Sequence, residues 1–181
     1  GQEANTFTKE KTDVENAAMF SLATATLKQA FQDLPDITNV ADNLIVENDK
    51  DGVNIVIADQ QGRSMFPPGS KYPYEETRAA VAALAPVLAK MPNQIRISGH
   101  VAAGDDYPNP RYGKWELSAD RANVIRSILT EYGLPDTQIY SVVGRGDAEP
   151  YFPNDPYLAA NERISIVLVM EEPPLPPGLE P

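Results

Sequence analysis

Ser118 and Arg121 have the side chains and the spacing of an anion-binding site. Residues 119–132 have helical periodicity, and a Ser directly before a helix is a favoured N-cap whose oxygen accepts a first-turn amide. Arg121 then falls in the first turn, where the helix dipole disfavours a cation unless an anion lies beside it. Free amides together with a guanidinium suit a carboxylate. A surface arginine that tolerates its position explains the same pattern, so the residues alone leave both interpretations open.

His100 is the single histidine of the chain and ends an alternating apolar segment. Catalysis through it would need a nucleophile and an orienting acid. Ser98 and Ser118 are available, but no nucleophile motif surrounds them. A metal site would need more ligands, because Asp105 and Asp106 alone make a poor set. We therefore expect a structural histidine that bonds the backbone or lines a pocket, with no metal and no cofactor.

Charge and length exclude several classes of protein. A chain of 181 residues predicts one domain with a proper core. The net charge of −11 argues against nucleic-acid binding, which needs a basic surface, and it restricts binding of any anionic polymer to a local basic pocket. The chain has no cysteine, which excludes disulfides and thiolate metal sites. The longest uncharged apolar run, residues 79–89, is too short to span a bilayer.

An amphipathic helix is expected before the first strand. Residues 1–11 are polar and expected to fray, and residues 12–15 have the pattern of a capping box. Apolar residues then recur at helical spacing up to Pro35, namely Phe20, Ala23, Leu27, Ala30, Phe31 and Leu34. Such a stripe packs on its own core or pairs with a copy of itself, and the first outcome is the commoner one.

The remaining periodicity predicts an α+β fold, a mixed α/β sandwich. Alternating apolar residues indicate strands at 44–47, 53–58, 94–100, 139–143 and 163–170. Helical spacing indicates helices at 75–90 and 119–132. A β–helix–β connection favours parallel neighbours, so we expect a mixed sheet packed with helices and preceded by an extra N-terminal helix. The Pro-rich residues 171–181 are expected to be disordered.

Three motifs resemble the OmpA-like peptidoglycan-binding domain. The Gly-His-Thr-Asp strand end of that family corresponds to residues 99–102, its Leu-Ser-x-x-Arg-Ala helix start to 117–122, and its Asn-x-Arg-Ile strand to 161–164. The amino-acid sequences of residues 65–70, 115–123 and 142–147 resemble those of the family branch found in flagellar stator proteins of the MotB type. The resemblance runs from about Leu44 to Val169.

The resemblance implies how a ligand would be held. In the family, the Arg of the helix motif binds the carboxylate of diaminopimelate in the peptidoglycan stem peptide, and the Asp of the strand motif binds its ammonium. The Arg corresponds to Arg121, but the Asp position holds Ala102 here, so Asp105 or Asp106 would have to supply the charge. The resemblance predicts a peptidoglycan-binding site that comprises Arg121, Asn161, Arg163, Leu117, His100 and Asp106.

The resemblance also implies a non-enzymatic module that anchors a flagellar stator unit to the cell wall from the periplasm. Its partners would be peptidoglycan, a second copy in a homodimer, and the stator A subunit through an inner-membrane helix outside this chain. We expect a tail, helix and linker at 1–43, the binding domain at 44–170 and a tail at 171–181, with dimerisation through Phe20, Leu27 and Phe31. Ala102 leaves open an interaction domain whose peptidoglycan binding is weakened or lost.

Overall fold

A five-stranded mixed sheet forms the centre of the protein. The computed structural model describes residues 2–170 and residue 178. The strands lie in the order β1-β2-β5-β3-β4, with β1 at Leu44–Asp49, β2 at Gly52–Ala58, β3 at Gln94–His100, β4 at Ile139–Gly144 and β5 at Arg163–Val169. β3 and β4 are parallel, and the other neighbours are antiparallel. The predicted fold class is confirmed, and the strand ends differ from the prediction by at most two residues.

Alternation along the strands gives the sheet one apolar and one polar face. Ile166 on β5 pairs with Ile55 on β2 and with Ile97 on β3, and all three side chains are fully buried. One residue earlier, Ser165 pairs with Ser98 of β3, and these side chains face the opposite way. The apolar face can therefore receive helices, while the other face is lined by polar groups.

In the described part of the chain, four α-helices accompany the sheet: α1 (Gln2–Gln32), the short α2 (Pro35–Thr38), α3 (Glu75–Ala89) and α4 (Lys114–Glu131). α3 and α4 contact each other and α4 packs on β3 and β4. Their apolar side chains share one core with the strands, through Val81, Leu84 and Leu88 of α3 and Ala122, Ile125 and Leu129 of α4. The predicted end of α3 is confirmed within one residue.

The start of α4 differs from the prediction. α4 begins at Lys114, five residues before the predicted start, with Gly113 as its N-cap. The backbone N–H of Gly113 donates to the Glu116 carboxylate over 3.3 Å, which closes this end of the helix. Ser118 is therefore not the cap. Arg121 lies two turns inside α4, so the predicted anion site made of free first-turn amides is not formed.

The first helix also differs from the prediction. α1 begins at Gln2, so residues 12–15 lie within the helix instead of capping it, and residues 2–11 are helical. Leu27 and Phe31 are 0% and 5% exposed and belong to the core of their own chain. Phe20 packs against the same core. The predicted dimer face is incompatible with this burial, because Leu27 and Phe31 are not accessible to a second copy.

Other apolar side chains of α1 lie on its surface. Val14, Met19 and Leu22 are exposed. Over residues 2–170, no helix combines the length and the hydropathy needed to cross a membrane. The prediction of a disordered tail at 171–181 concerns residues outside the described part of the chain, apart from residue 178.

Two glycines bring α4 directly onto the ends of β3 and β4. A Cβ on Gly99 would lie 2.1 Å from the Ser118 carbonyl oxygen, and one on Gly144 would lie 2.3 Å from the backbone nitrogen of Ala119. The Ser118 hydroxyl, buried at this contact, accepts the N–H of Gly146 over 3.0 Å. Side chains on the first turns of α4 are consequently held at the carboxyl ends of these strands.

Candidate functional site

A cavity of about 670 Å³ opens between α4 and three loops. The loop after β2, the loop after β3 and the segment before β5 each contribute to its wall. The lining residues that carry charge or an aromatic ring are Asp59, Phe66, Asp105, Asp106, Tyr107, Tyr112, Arg121, Tyr157 and Glu162. Of the residues predicted to bind peptidoglycan, Arg121, Leu117 and Asp106 line this cavity.

Arg121 is 6% exposed, and each of its guanidinium nitrogens already donates a hydrogen bond. Nε donates to the Ser70 carbonyl over 2.7 Å, and Nη2 donates to the Pro67 carbonyl over 3.3 Å. Nη1 donates to Glu162 Oε2 over 2.8 Å, and this contact is also a salt bridge. The guanidinium carbon lies 4.6 Å from the ring centroid of Phe66. Arg121 therefore ties the loop after β2 to α4 and to the start of β5.

Glu162 was not predicted as a site residue, although a signal for it was present. Side chains alternate between the faces of a strand, so Glu162 points away from the side on which Arg163 lies. Burial, followed by a hydrogen bond with Asp105, raises the pKa of Glu162, although Arg121 acts in the opposite direction. The salt bridge to Arg121, 2.8 Å long, favours the ionised carboxylate and places an acid directly beside the guanidinium.

The cavity is acidic. Among the described lining residues, the carboxyl side chains are Asp59, Asp105, Asp106 and Glu162, and the single cation is Arg121. Burial also raises the pKa of Asp59, although the Met65 N–H, which donates to Asp59 Oδ1 over 2.8 Å, favours the ionised form. Acidic side chains therefore outnumber basic ones in this part of the wall. The field of this cavity favours a cation.

Two tyrosines of the cavity wall remain neutral. Burial, and then the charge of Asp105, raises the pKa of Tyr107 to about 12. The hydroxyl of Tyr107 is buried and has no hydrogen-bond partner among the described residues. Burial raises the pKa of Tyr112 to about 12 as well, and its hydroxyl donates to Asp120 Oδ2 over 2.6 Å. Among the described residues, Tyr107 is thus the one of the pair whose hydroxyl lacks a hydrogen bond.

His100 and Arg163 lie mainly outside the main cavity. Both line a groove of about 520 Å³ on the polar face of the sheet. Arg163 donates to the Glu149 carbonyl over 2.7 Å and to the Asn161 carbonyl over 3.2 Å, and burial lowers its pKa to about 10. With Arg121 and other residues, Arg163 and His100 also border a cavity of only about 10 Å³. The structure therefore does not bring them into the main cavity.

Asn161 acts on the loop that forms part of the cavity wall. Its side chain is fully buried, accepts the N–H of Phe152 and donates to the Asp155 carbonyl, both over 2.8 Å. These bonds hold the segment that carries Tyr157, one of the lining residues. Asn161 shapes the wall without lining the cavity itself.

The arrangement around His100 does not form a catalytic triad. Ser98 Oγ lies 2.8 Å from His100 Nε2, but Nδ1 has no partner among the described residues. Burial, followed by the charges of Arg163 and Arg145, lowers the pKa of His100 to about 3. An imidazole without an orienting acid, and with its charged form so disfavoured, is a poor general base. Within residues 2–170 and 178, no three His or acidic side chains are grouped to hold a metal ion.

Comparisons with known proteins assign the chain to a family. Residues 65–163 match the OmpA family. The chain is 35% identical over 150 residues to motility protein B of Escherichia coli K12, an alignment that covers 81% of this chain and 48% of that protein. The chain thus spans about half the length of this curated relative.

Solved structures share the fold. A MotB-like protein of Desulfovibrio vulgaris superposes with a TM-score of 0.71 at 20% identity, covering 87% of this chain and 98% of the other. The cell wall anchor of the T6SS from Pseudomonas aeruginosa superposes with a TM-score of 0.64 at 26% identity, covering 80% of this chain and 97% of the other.

Proposed function

The chain belongs to the OmpA family, and on that premise we propose that its Arg121 cavity binds peptidoglycan, so that the domain anchors a flagellar stator unit to the cell wall without acting as an enzyme. The observation that carries this proposal is the cavity of about 670 Å³ in which a buried guanidinium meets several carboxyls. A stem peptide with diaminopimelate offers an ammonium and a carboxylate, which carry the charges that such groups attract. The identity to E. coli motility protein B supports the stator assignment.

The proposal includes a location and two protein partners. The domain would lie in the periplasm, on a protein anchored in the inner membrane by a helix outside this chain. Through that helix it would meet the stator A subunit. A homodimer is part of the proposal as well. Since Leu27 and Phe31 are buried in their own core, its contacts must lie elsewhere, and the exposed Val14, Met19 and Leu22 of α1 are available.

Co-sedimentation with insoluble peptidoglycan tests the binding. We expect the chain to sediment with peptidoglycan and Asp105→Asn to weaken binding at least about tenfold, because a charge-assisted contact contributes about 1.5–3 kcal/mol. Asp136→Asn is the matched control, since it removes an exposed aspartate of the 3₁₀ turn Asp136–Gln138, outside the cavity lining. Wild-type protein that stays in the supernatant would contradict the proposal.

Two observations favour a second candidate, an interaction domain with weakened or lost peptidoglycan binding. Arg121 is already paired with Glu162, and the position of the family's Asp holds Ala102, which is 7% exposed. The Glu162 pair weakens the grip of Arg121 on a ligand carboxylate, and Ala102 removes the family's contact to the ligand ammonium. This candidate predicts that neither the wild type nor Asp105→Asn sediments with peptidoglycan, while the protein still self-associates in analytical ultracentrifugation.

A further inference from the structure

We propose that the cavity recognises its ligand through an ammonium group and does not require a free carboxylate, so that it accepts stem peptides with amidated diaminopimelate or with lysine. This inference rests on the proposed function and specifies the ligand class of the same site. It follows from three features: the hydrogen bonds of Arg121, the balance of charge in the cavity and the free hydroxyl of Tyr107.

Arg121 has little left to offer a carboxylate. Its three guanidinium nitrogens donate to the Ser70 carbonyl, the Pro67 carbonyl and Glu162. A guanidinium has five N–H groups, so two remain. Glu162 supplies the opposite charge at 2.8 Å, and its side chain is 17% exposed. A ligand carboxylate that took the place of Glu162 would leave a largely buried acid without its partner, which is unfavourable.

The cavity offers an ammonium, unlike a carboxylate, several hydrogen-bond acceptors. An ammonium brings three donors and no acceptor. The cavity wall offers the carboxyl oxygens of Asp59, Asp105 and Asp106 and the buried Tyr107 hydroxyl, which has no partner among the described residues. Among the described lining residues, four carboxyl side chains accompany a single guanidinium. An arriving ammonium compensates this excess of acidic groups.

Four synthetic tripeptides separate the two ligand groups. All share L-Ala–γ-D-Glu, and the third residue is meso-diaminopimelate, diaminopimelate with the carboxyl beside its distal amine converted to a carboxamide, lysine, or Nε-acetyl-lysine. The first pair differs in the carboxylate and the second pair in the ammonium. Isothermal titration calorimetry gives the four dissociation constants for the whole chain.

We expect the acid and the carboxamide to bind within about threefold of each other, and acetylation of the lysine to weaken binding more than about tenfold, which corresponds to about 1.4 kcal/mol. A carboxamide that binds tenfold or more weakly than the acid would overturn the inference. The same holds for a lysine peptide that fails while the diaminopimelate peptide binds. If none of the four peptides binds, the proposed function fails together with the inference.

A variant tests why the carboxylate is dispensable. Glu162→Gln removes the charge that neutralises Arg121, and it should create a preference of at least about tenfold for the acid over the carboxamide. Glu149→Gln is the matched control, because Glu149 is half-exposed and pairs with Arg145 on the other face of the sheet. An unchanged ratio in Glu162→Gln, with the variant folded by circular dichroism, would show that Glu162 does not set the preference.

Discussion

Acidification should unfold this protein partly through one side chain, His100. The ring is 5% exposed, and burial together with the charges of Arg163 and Arg145 lowers its pKa from 6.5 to about 3. In the unfolded chain the imidazole titrates near its ordinary pKa of about 6.5. Between these two values the unfolded state binds more protons than the folded state. The contribution of His100 to stability is therefore lost as the pH falls through this window.

The size of the effect follows from the two pKa values. Between pH 7 and pH 5 the unfolded imidazole goes from about one-quarter protonated to almost fully protonated, while the folded one stays neutral. Linkage then gives a loss of about 2 kcal/mol in the free energy of unfolding. The figure barely depends on the folded pKa as long as that pKa stays well below 5. Burial of the ring, not the details of its surroundings, is what the prediction tests.

A substitution is needed because another group acts in the opposite direction. Burial raises the pKa of Glu162 above its ordinary value, so the folded state binds more protons at this group than the unfolded state, and Glu162 adds stability as the pH falls. His100→Gln removes only the histidine contribution, and glutamine can keep a bond to Ser98, which lies 2.8 Å from His100 Nε2.

Urea unfolding followed by circular dichroism at pH 7 and pH 5 measures the effect. Relative to the wild type, His100→Gln should be more stable by about 2 kcal/mol at pH 5 than it is at pH 7. If both proteins change by the same amount between the two pH values, the imidazole does not titrate below the unfolded value, and the reasoning is refuted.

The remaining predictions concern packing, and the free energy of unfolding in urea at pH 7 tests them. Leu27→Ala should cost about 2–5 kcal/mol because Leu27 is fully buried, whereas Leu22→Ala on the exposed face of α1 should change stability by less than about 0.5 kcal/mol. Equal effects would show that α1 does not pack on the core. Gly99→Ala should cost about 3 kcal/mol or more, because its Cβ would lie 2.1 Å from the Ser118 carbonyl oxygen, while Gly113→Ala should cost at most about 1 kcal/mol at an open N-cap. A tolerated Gly99→Ala would contradict the close approach of α4.

The strands could be predicted because their signal is local. In β2, β3 and β5 the apolar residues alternate over most of each strand, and a half-buried sheet requires this alternation. The start of α4 was predicted wrongly for an equally local reason. Ser118 has the side chain of a good cap, but Gly113 and Glu116, three residues apart, form the actual helix end. Two capping patterns compete there, and packing against the strand ends decides between them.

The contacts of α1 could not be predicted from its sequence. The apolar spacing from Phe20 to Leu34 correctly indicates a helix with a buried stripe. A stripe of this kind does not specify which apolar surface it meets, so the helix can cover its own core or a second copy. Leu27 and Phe31 meet the core of their own chain. That choice depends on how much apolar area the sheet and the other helices leave uncovered, which is a property of the assembled fold.

The site was predicted where a motif marks it and missed where long-range packing creates it. Arg121 and Asp106 were found from the helix motif and the loop after β3, and both line the cavity. Asp59 enters from the loop after β2, more than 40 residues earlier in the chain, and no local pattern connects it to the site. Glu162 could have been predicted from the sequence, because alternation along a strand points its side chain to the face opposite that of Arg163.

Because Arg121 makes structural hydrogen bonds, loss of binding in an Arg121 variant does not by itself identify a ligand contact. Three of its hydrogen bonds go to Ser70, Pro67 and Glu162, so Arg121 holds the wall of the cavity together. Arg121→Ala would leave Glu162 buried beside Asp105 without a cation, a change that is strongly destabilising for a buried pair. We therefore expect Arg121→Ala to lose stability as well as binding. Loss of binding would follow whether Arg121 contacts the ligand or only builds the cavity. Asp105→Asn and the peptide series separate these roles, because they change the ligand contact and leave the bonds of Arg121 in place.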